Sequence, residues 1–189
     1  MRSILWAGIF VSFVGCGGPG SVDGKVHGQS IAINDSISAA VNVTAGTAQF
    51  HAAEIVMANA SSLCKDVAGR VEHPNEKVVV MAVFDVNGTS FTTPTAAGTY
   101  AIYQQGTQPG AHAATLSVAV NDATCKSVEA QSATATSGTI TLDHVSGNVF
   151  SGKYDVVLDS GDHITGDFDP EGCPAIQTII DSGGEAVCQ

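Results

Sequence analysis

The chain has 189 residues, with 18 acidic and 7 basic side chains and a formal net charge of −11. A balance this acidic repels phosphate backbones and anionic lipid headgroups, so it excludes electrostatic binding of nucleic acid or of a membrane surface. The length that remains after removal of a signal peptide suits one domain with a single hydrophobic core.

The N-terminus has the features of a secretory signal peptide. Arg2 precedes an apolar run from Ile4 to Val14, and Cys16 follows directly after Gly15. About 20 apolar residues are needed for a helix to cross a bilayer, so this shorter run predicts a cleaved signal. A short buried N-terminal helix is the alternative. We expect a signal peptide over residues 1–15, a lipidated cysteine and flexible tether over residues 16–23, and a single β domain over residues 24–189.

The cysteine count also indicates export. The chain has five cysteines: Cys16, Cys64, Cys125, Cys173 and Cys188. If Cys16 carries lipid, four remain for two disulfides in an oxidising compartment, and four cysteines allow three pairings. We predict Cys64–Cys125 and Cys173–Cys188, because the second closes a short C-terminal loop and the first joins distant strands. Zinc binding is the rival interpretation, but no C-x-x-C pair is present to favour it.

The first half of the domain contains several short apolar segments. Residues 24–33 and 52–58 predict strands, and a helical turn from Leu63 to Val67 follows, with Ser62 as its cap. The run VVVMAVFDV over residues 78–86 is almost continuously apolar, which is typical of a strand covered on both faces. Asn87-Gly88 predicts a hairpin after it. Residues 36–45 are Ala-rich and carry no clear signal.

The last third of the chain has the most regular pattern. Residues 138–145, 153–159 and 163–169 alternate apolar and polar side chains, as residues 113–120 also do. This period of two is typical of antiparallel sheet with one solvated face. The chain therefore predicts an all-β fold, an antiparallel β-sandwich or a closed β-barrel of about eight or nine strands.

Two stretches resemble known bacterial lipoproteins. Phe13-Val14-Gly15-Cys16 resembles a lipobox, in which small residues precede a lipidated cysteine. The resemblance implies diacylglycerol on the Cys16 sulfur and usually a further acyl chain on its amine. Together these chains anchor a protein stably in a membrane. It also implies sorting to the outer membrane or cell surface, because Gly17 stands where Asp would retain the protein in the inner membrane. Residues 22–33 and 137–169 are similar to uncharacterised lipoproteins of myxobacteria, which bring no known activity.

No catalytic motif is complete. The chain lacks the G-x-S-x-G and H-E-x-x-H patterns. Ser62 and Lys65 match S-x-x-K, but the K-T-G element of the β-lactamase pattern is missing. The six histidines are scattered, and His144 and His163 are the best candidates because they lie beside carboxylates. We therefore expect no enzymatic activity.

The C-terminal region is strongly acidic. It contains the five candidate calcium ligands Asp155, Asp159, Asp162, Asp167 and Asp169. Carboxylate oxygens suit Ca²⁺, and a bound cation would relieve repulsion between like charges that face each other across a sheet. A solvated acidic face without metal is the alternative. No other cofactor is expected.

These observations predict an envelope lipoprotein held to the membrane by its lipid, with a non-catalytic binding or structural domain. The alternatives are a carrier that holds a small apolar ligand in a barrel, a calcium-binding surface module and, last, a hydrolase. Exposed aromatic residues for stacking on nucleic acid are too few, since the only Trp is Trp6 in the signal. No motif identifies a protein or small-molecule partner.

Overall fold

A computed structural model describes residues 18–45, 48–104, 106–183 and 186–189. The predicted signal peptide and Cys16 lie outside these residues. The described strands are β1 (Asp23–Gly24), β2 (Asp35–Ala45), β3 (Ala48–Ala58), β4 (Val71–Glu72), β5 (Lys77–Asn87), β6 (Ser90–Thr92), β7 (Gly98–Ile102), β8 (His112–Val120), β9 (Ala133–Ser146), β10 (Val149–Leu158), β11 (His163–Phe168), β12 (Glu171–Gly172) and β13 (Val187–Cys188). The helices are α1 (Leu63–Gly69) and α2 (Ala175–Ser182), with a 3₁₀ turn at Glu129–Gln131.

Eleven strands form one curled sheet with the shape of a half-barrel. The long strands follow one another antiparallel in the order β11-β10-β9-β8-β5-β3-β2, and β6 and β7 are short insertions. The all-β prediction is confirmed. The prediction of an eight- or nine-stranded sandwich or closed barrel is wrong, because the eleven strands form one curled sheet, and the only other sheet in the described residues is the two-stranded pair of β4 and β13.

The main core lies on the concave face of the sheet. On β10 the burial alternates strictly: Tyr154, Val156 and Leu158 are buried, whereas the residues between them are exposed. The same alternation holds on β8 and on the inner face of β5. Phe150 and Phe168 are among the largest fully buried side chains of this core. Side chains therefore fill the interior of the half-barrel.

The two helices cover part of the convex face. Ile37, Ala39 and Val41 on the outer side of β2 form a second buried cluster with residues that include Leu63 of α1 and Ile176 of α2. The convex side of β5 is less well covered, since its outward residues are only partly buried. The expectation that β5 is covered on both faces therefore holds only in part on its convex face, where Val78 packs against the second cluster. No helix in the described ranges is long and apolar enough to cross a membrane.

Both disulfides join elements that are distant in sequence. Cys64 pairs with Cys173, which links α1 to the segment before α2, and Cys125 pairs with Cys188 at the C-terminus. The predicted pairing is wrong. The reason is that β12 pairs in parallel with β2, and this contact brings the chain before α2 to the edge of the sheet that α1 covers.

The N-terminal segment lies along the seam between β11 and β2. The carbonyl oxygen of Pro19 accepts hydrogen bonds from Ser36 Oγ and from the backbone N–H of Asp169. The Ser21 N–H donates to the Asp167 carbonyl oxygen at 2.9 Å. Residues 19–23, predicted as flexible tether, are therefore held by the domain. Within the described residues, this segment makes contacts from Pro19 onward, because this edge of the sheet offers unpaired backbone groups.

Candidate functional site

The strand register separates the carboxylates on β10 and β11. Lys153 lies directly opposite Asp167, and Asp155 lies opposite Thr165. Nε2 of His163 is 2.7 Å from Oδ1 of Asp155. Because the carboxylates lie opposite lysine and threonine, the like-charge repulsion that would favour a bound cation does not arise at these pairs.

Of the remaining candidate calcium ligands, Asp159 and Asp162 lie in the turn between β10 and β11, and Asp169 directly follows β11. Asp159 accepts a hydrogen bond from the Thr134 N–H at 3.1 Å. Asp162 accepts one from the His27 N–H at 2.8 Å, and this bond lowers the pKa of that carboxyl. Among the described residues, no group of three or more His, Cys, Asp or Glu side chains is placed to hold a metal ion.

We expect calcium at a few millimolar to leave the thermal midpoint of unfolding unchanged. A ligand raises the midpoint only if the folded state binds it, and the described residues offer no converging set of carboxylates. Differential scanning calorimetry with and without the ion measures this, with magnesium as the control for ionic strength. A rise in midpoint that calcium causes, magnesium does not, and Asp155→Asn abolishes would contradict the expectation.

Three histidines pair with carboxylates. The ring nitrogen lies 3.0 Å from the carboxylate oxygen in His73–Asp66, 2.6 Å in His112–Asp85 and 2.7 Å in His163–Asp155. The side chains of His112 and His163 are 62% and 57% exposed. The His73 pair differs because both of its members line a cleft.

We call this feature the outer cleft. It consists of two adjoining depressions on the convex side, with volumes of about 370 Å³ and about 410 Å³, which share Asp66 and Glu76. Both volumes fall within the range of small-molecule sites. Side chains that line the polar half include Asn34, Asn59, Ser61, Ser62, Lys65 and His73.

The segment from α1 to β5 builds the polar half. The Leu63 N–H, at the start of α1, donates to Oδ2 of Asp35 at 2.8 Å. Ser62 occupies the N-cap position, as predicted, but it adopts a left-handed conformation and its side chain makes no capping bond. After β4, a turn with Asn75 at φ 58° delivers Glu76 to the start of β5.

The apolar half has a floor of convex-face side chains from three adjacent strands. They are Val56 on β3, Val78 and Val80 on β5, and Ala119 on β8. Leu63, Val67 and Ile179 from the helices form its walls. The continuous apolar run of β5 thus has two roles, since its inward residues fill the core and its outward valines line this depression.

Charged groups lie where the two halves meet. Glu76 is only 8% exposed, and Oε2 of its carboxylate accepts the His73 N–H at 3.3 Å. Desolvation by burial raises the pKa of Glu76. The hydrogen bond to Asp66 raises the pKa of His73. Asp66 is 17% exposed at its side chain.

We expect Glu76→Gln to be more stable relative to wild type at pH 7 than at pH 4. A carboxyl whose pKa is raised on folding contributes stability below its ordinary pKa of 4.5, and this contribution is lost as the pH rises through the raised value. Glutamine has no such titration. Urea unfolding of both proteins between pH 4 and pH 8 measures the difference, and a difference that stays constant with pH would contradict this view of Glu76.

The polar half also contains the incomplete S-x-x-K motif. In the described part of the chain, neither Ser62 Oγ nor Lys65 Nζ hydrogen-bonds to another residue. Sequence reasoning missed Asp66, His73 and Glu76 as site residues. The available signal was a polar turn, His-Pro-Asn-Glu, directly before the most apolar strand of the chain.

Comparison of the chain with protein-family models, curated proteins and solved structures returned no match.

Proposed function

We propose that the chain is a lipid-anchored lipoprotein of the bacterial cell envelope, at the outer membrane or cell surface, and that its domain binds a small molecule without catalysing a reaction. The lipobox-like residues before Cys16 support the anchor. Two disulfides support an oxidising compartment. The likeness to myxobacterial lipoproteins is consistent with this assignment.

The observation that carries the binding role is the outer cleft. It combines an apolar floor with a few polar groups at one end, which is the usual composition of a ligand site. Val78 and Val80 are only partly buried there, and although Val78 packs against the second cluster, both valines keep apolar surface open to solvent. A bound ligand would remove this apolar surface from water.

The same geometry favours binding over hydrolysis. His73 and Asp66 could act as a base and its orienting group, but an acyl-transfer enzyme also needs a nucleophile in hydrogen-bond contact with the base. Ser62, although it lines the same depression, forms no hydrogen bond with His73. The hydrolase therefore stays the last alternative.

The barrel-type carrier is a weaker candidate than a carrier that uses the outer cleft. Buried side chains such as Met57, Met81 and Leu116 occupy the concave face of the sheet, where a barrel carrier would hold its ligand. The outer cleft offers open volume instead. A calcium-binding surface module would need carboxylates that converge, and those on β10 and β11 lie opposite other residue types.

The anchor would hold the domain close to the membrane. Pro19 is bound at the seam, and an extended chain spans at most about 3.6 Å per residue. The three steps along the chain from Cys16 to Pro19 therefore reach about 11 Å at most. A lipidated Cys16 would keep the seam beside the bilayer, with no long tether.

The binding role is tested by native mass spectrometry of the protein extracted from its own membrane. We expect a small-molecule adduct on wild type that is lost in Val80→Arg, because an arginine there would fill the apolar half of the cleft. Val157→Arg is the matched control, since Val157 is an exposed valine on β10. Absence of any adduct, or an adduct retained in Val80→Arg, would contradict the proposal.

A further inference from the structure

We propose that the outer cleft selects a primary amine carried on a short apolar chain. The inference rests on the binding role proposed above and adds the chemical class of the ligand. The apolar chain would lie on the valines of β5, and the ammonium group would sit where the two halves of the cleft meet, at Glu76.

The apolar half sets the requirement for a hydrocarbon part. Its volume of about 410 Å³ is lined mainly by valine, leucine, isoleucine and alanine side chains. Burial of such surface contributes about 25 cal/mol per Å². A ligand without an apolar part would leave this floor exposed to water.

The buried carboxylate where the two halves of the cleft meet favours a positive charge on the polar group of the ligand. Glu76 is 8% exposed, and one backbone N–H is the hydrogen-bond partner of its carboxylate among the described residues. Asp66 is paired with His73 at 3.0 Å. The Glu76 carboxylate therefore keeps acceptor capacity that an ammonium group could use.

Three basic side chains line the cleft, and each is paired with another group or exposed. The ring of His73 is paired with Asp66 at 3.0 Å. The guanidinium of Arg70 donates to Ser182 Oγ at the end of α2. Lys65 is exposed on α1. The ammonium group of Lys65 therefore stays solvated, whereas the carboxylate of Glu76 is largely removed from water. The net charge of −11 also favours the approach of a cation over that of an anion. An anionic amphiphile, such as a fatty acid, fits this arrangement less well.

Equilibrium dialysis with three six-carbon probes tests the inference. The protein is extracted from its own membrane, reconstituted in phosphatidylcholine vesicles and dialysed against hexylamine, hexanol or hexanoate, and empty vesicles correct for partition into lipid. We expect wild type to bind hexylamine about tenfold more tightly than hexanol or hexanoate. Glu76→Gln should remove this preference and leave the affinity for hexanol unchanged.

Asp155→Asn, which removes an exposed carboxylate on β10, is the matched control and should bind hexylamine as wild type does. Asp66→Asn is the second variant if Glu76→Gln fails to fold, and it should also weaken hexylamine binding. Equal binding of the three probes, or tighter binding of hexanoate, would overturn the amine assignment but leave a binding cleft. No binding above empty vesicles would overturn both this inference and the proposed function.

Discussion

Replacement of Cys64 and Cys173 together by alanine is expected to lower the free energy of unfolding by about 5 kcal/mol. These cysteines are 109 residues apart, so their disulfide removes much of the conformational freedom of the unfolded chain. The bond also lies in the cluster that holds α1 and α2 on β2, and Cys173 is fully buried there. Denaturant unfolding under oxidising conditions measures the change.

The second disulfide provides the control for this prediction. Cys125 and Cys188 are 63 residues apart, so their replacement is expected to cost somewhat less, about 4 kcal/mol. This disulfide attaches the short strand β13 to a surface turn, so its removal leaves the contacts of α1 with β2 intact. A loss under about 1 kcal/mol for the Cys64 and Cys173 variant would contradict the assigned pairing.

Phe150→Ala is expected to lower the free energy of unfolding by about 3–5 kcal/mol. The ring is 1% exposed and lies in the main core, so its removal leaves a cavity among residues that cannot fully collapse. The Phe150 backbone N–H also donates to Ser38 Oγ at 3.3 Å, which links β10 to β2. Urea unfolding, followed by circular dichroism, measures the loss.

Phe91→Ala is the matched control for Phe150→Ala. Phe91 is only partly buried and contacts Phe50 and Phe84, with ring centroids 4.8 Å and 5.4 Å apart. Its truncation should cost about 1 kcal/mol. Equal losses for the two variants would mean that Phe150 does not lie in the main core, and the curled form of the sheet would be in doubt.

The strands in the last third of the chain could be predicted because the alternation of apolar and polar residues is a local property of the sequence. The strands β9, β10 and β11 alternate apolar and polar side chains, and one face of each meets the core. The strand β2 could not be predicted in this way. Its inward residues at the seam include Ser36 and Ser38, which form hydrogen bonds to the N-terminal segment and to the β9–β10 turn. These contacts link residues far apart in the chain.

The candidate site was less predictable than the fold. The apolar run of β5 was recognised, but the sequence could not tell whether a second element covers its convex face. His73 and Glu76 belong to a turn, and their partners come from α1 and from the backbone of that turn. The disulfide pairing failed for a related reason, since the parallel contact of β12 with β2 has no local signature.

The lipid anchor at Cys16 is the central claim, and the intact mass of the protein extracted from its own membrane tests it most directly. We expect a chain that begins at Cys16 and carries the mass of a diacylglyceryl group, with or without a further acyl chain. Such a protein has no tryptophan emission, because Trp6 leaves with the signal peptide. A mass that includes residues 1–15 together with tryptophan emission, or a chain in which Cys16 is unmodified, would contradict the account.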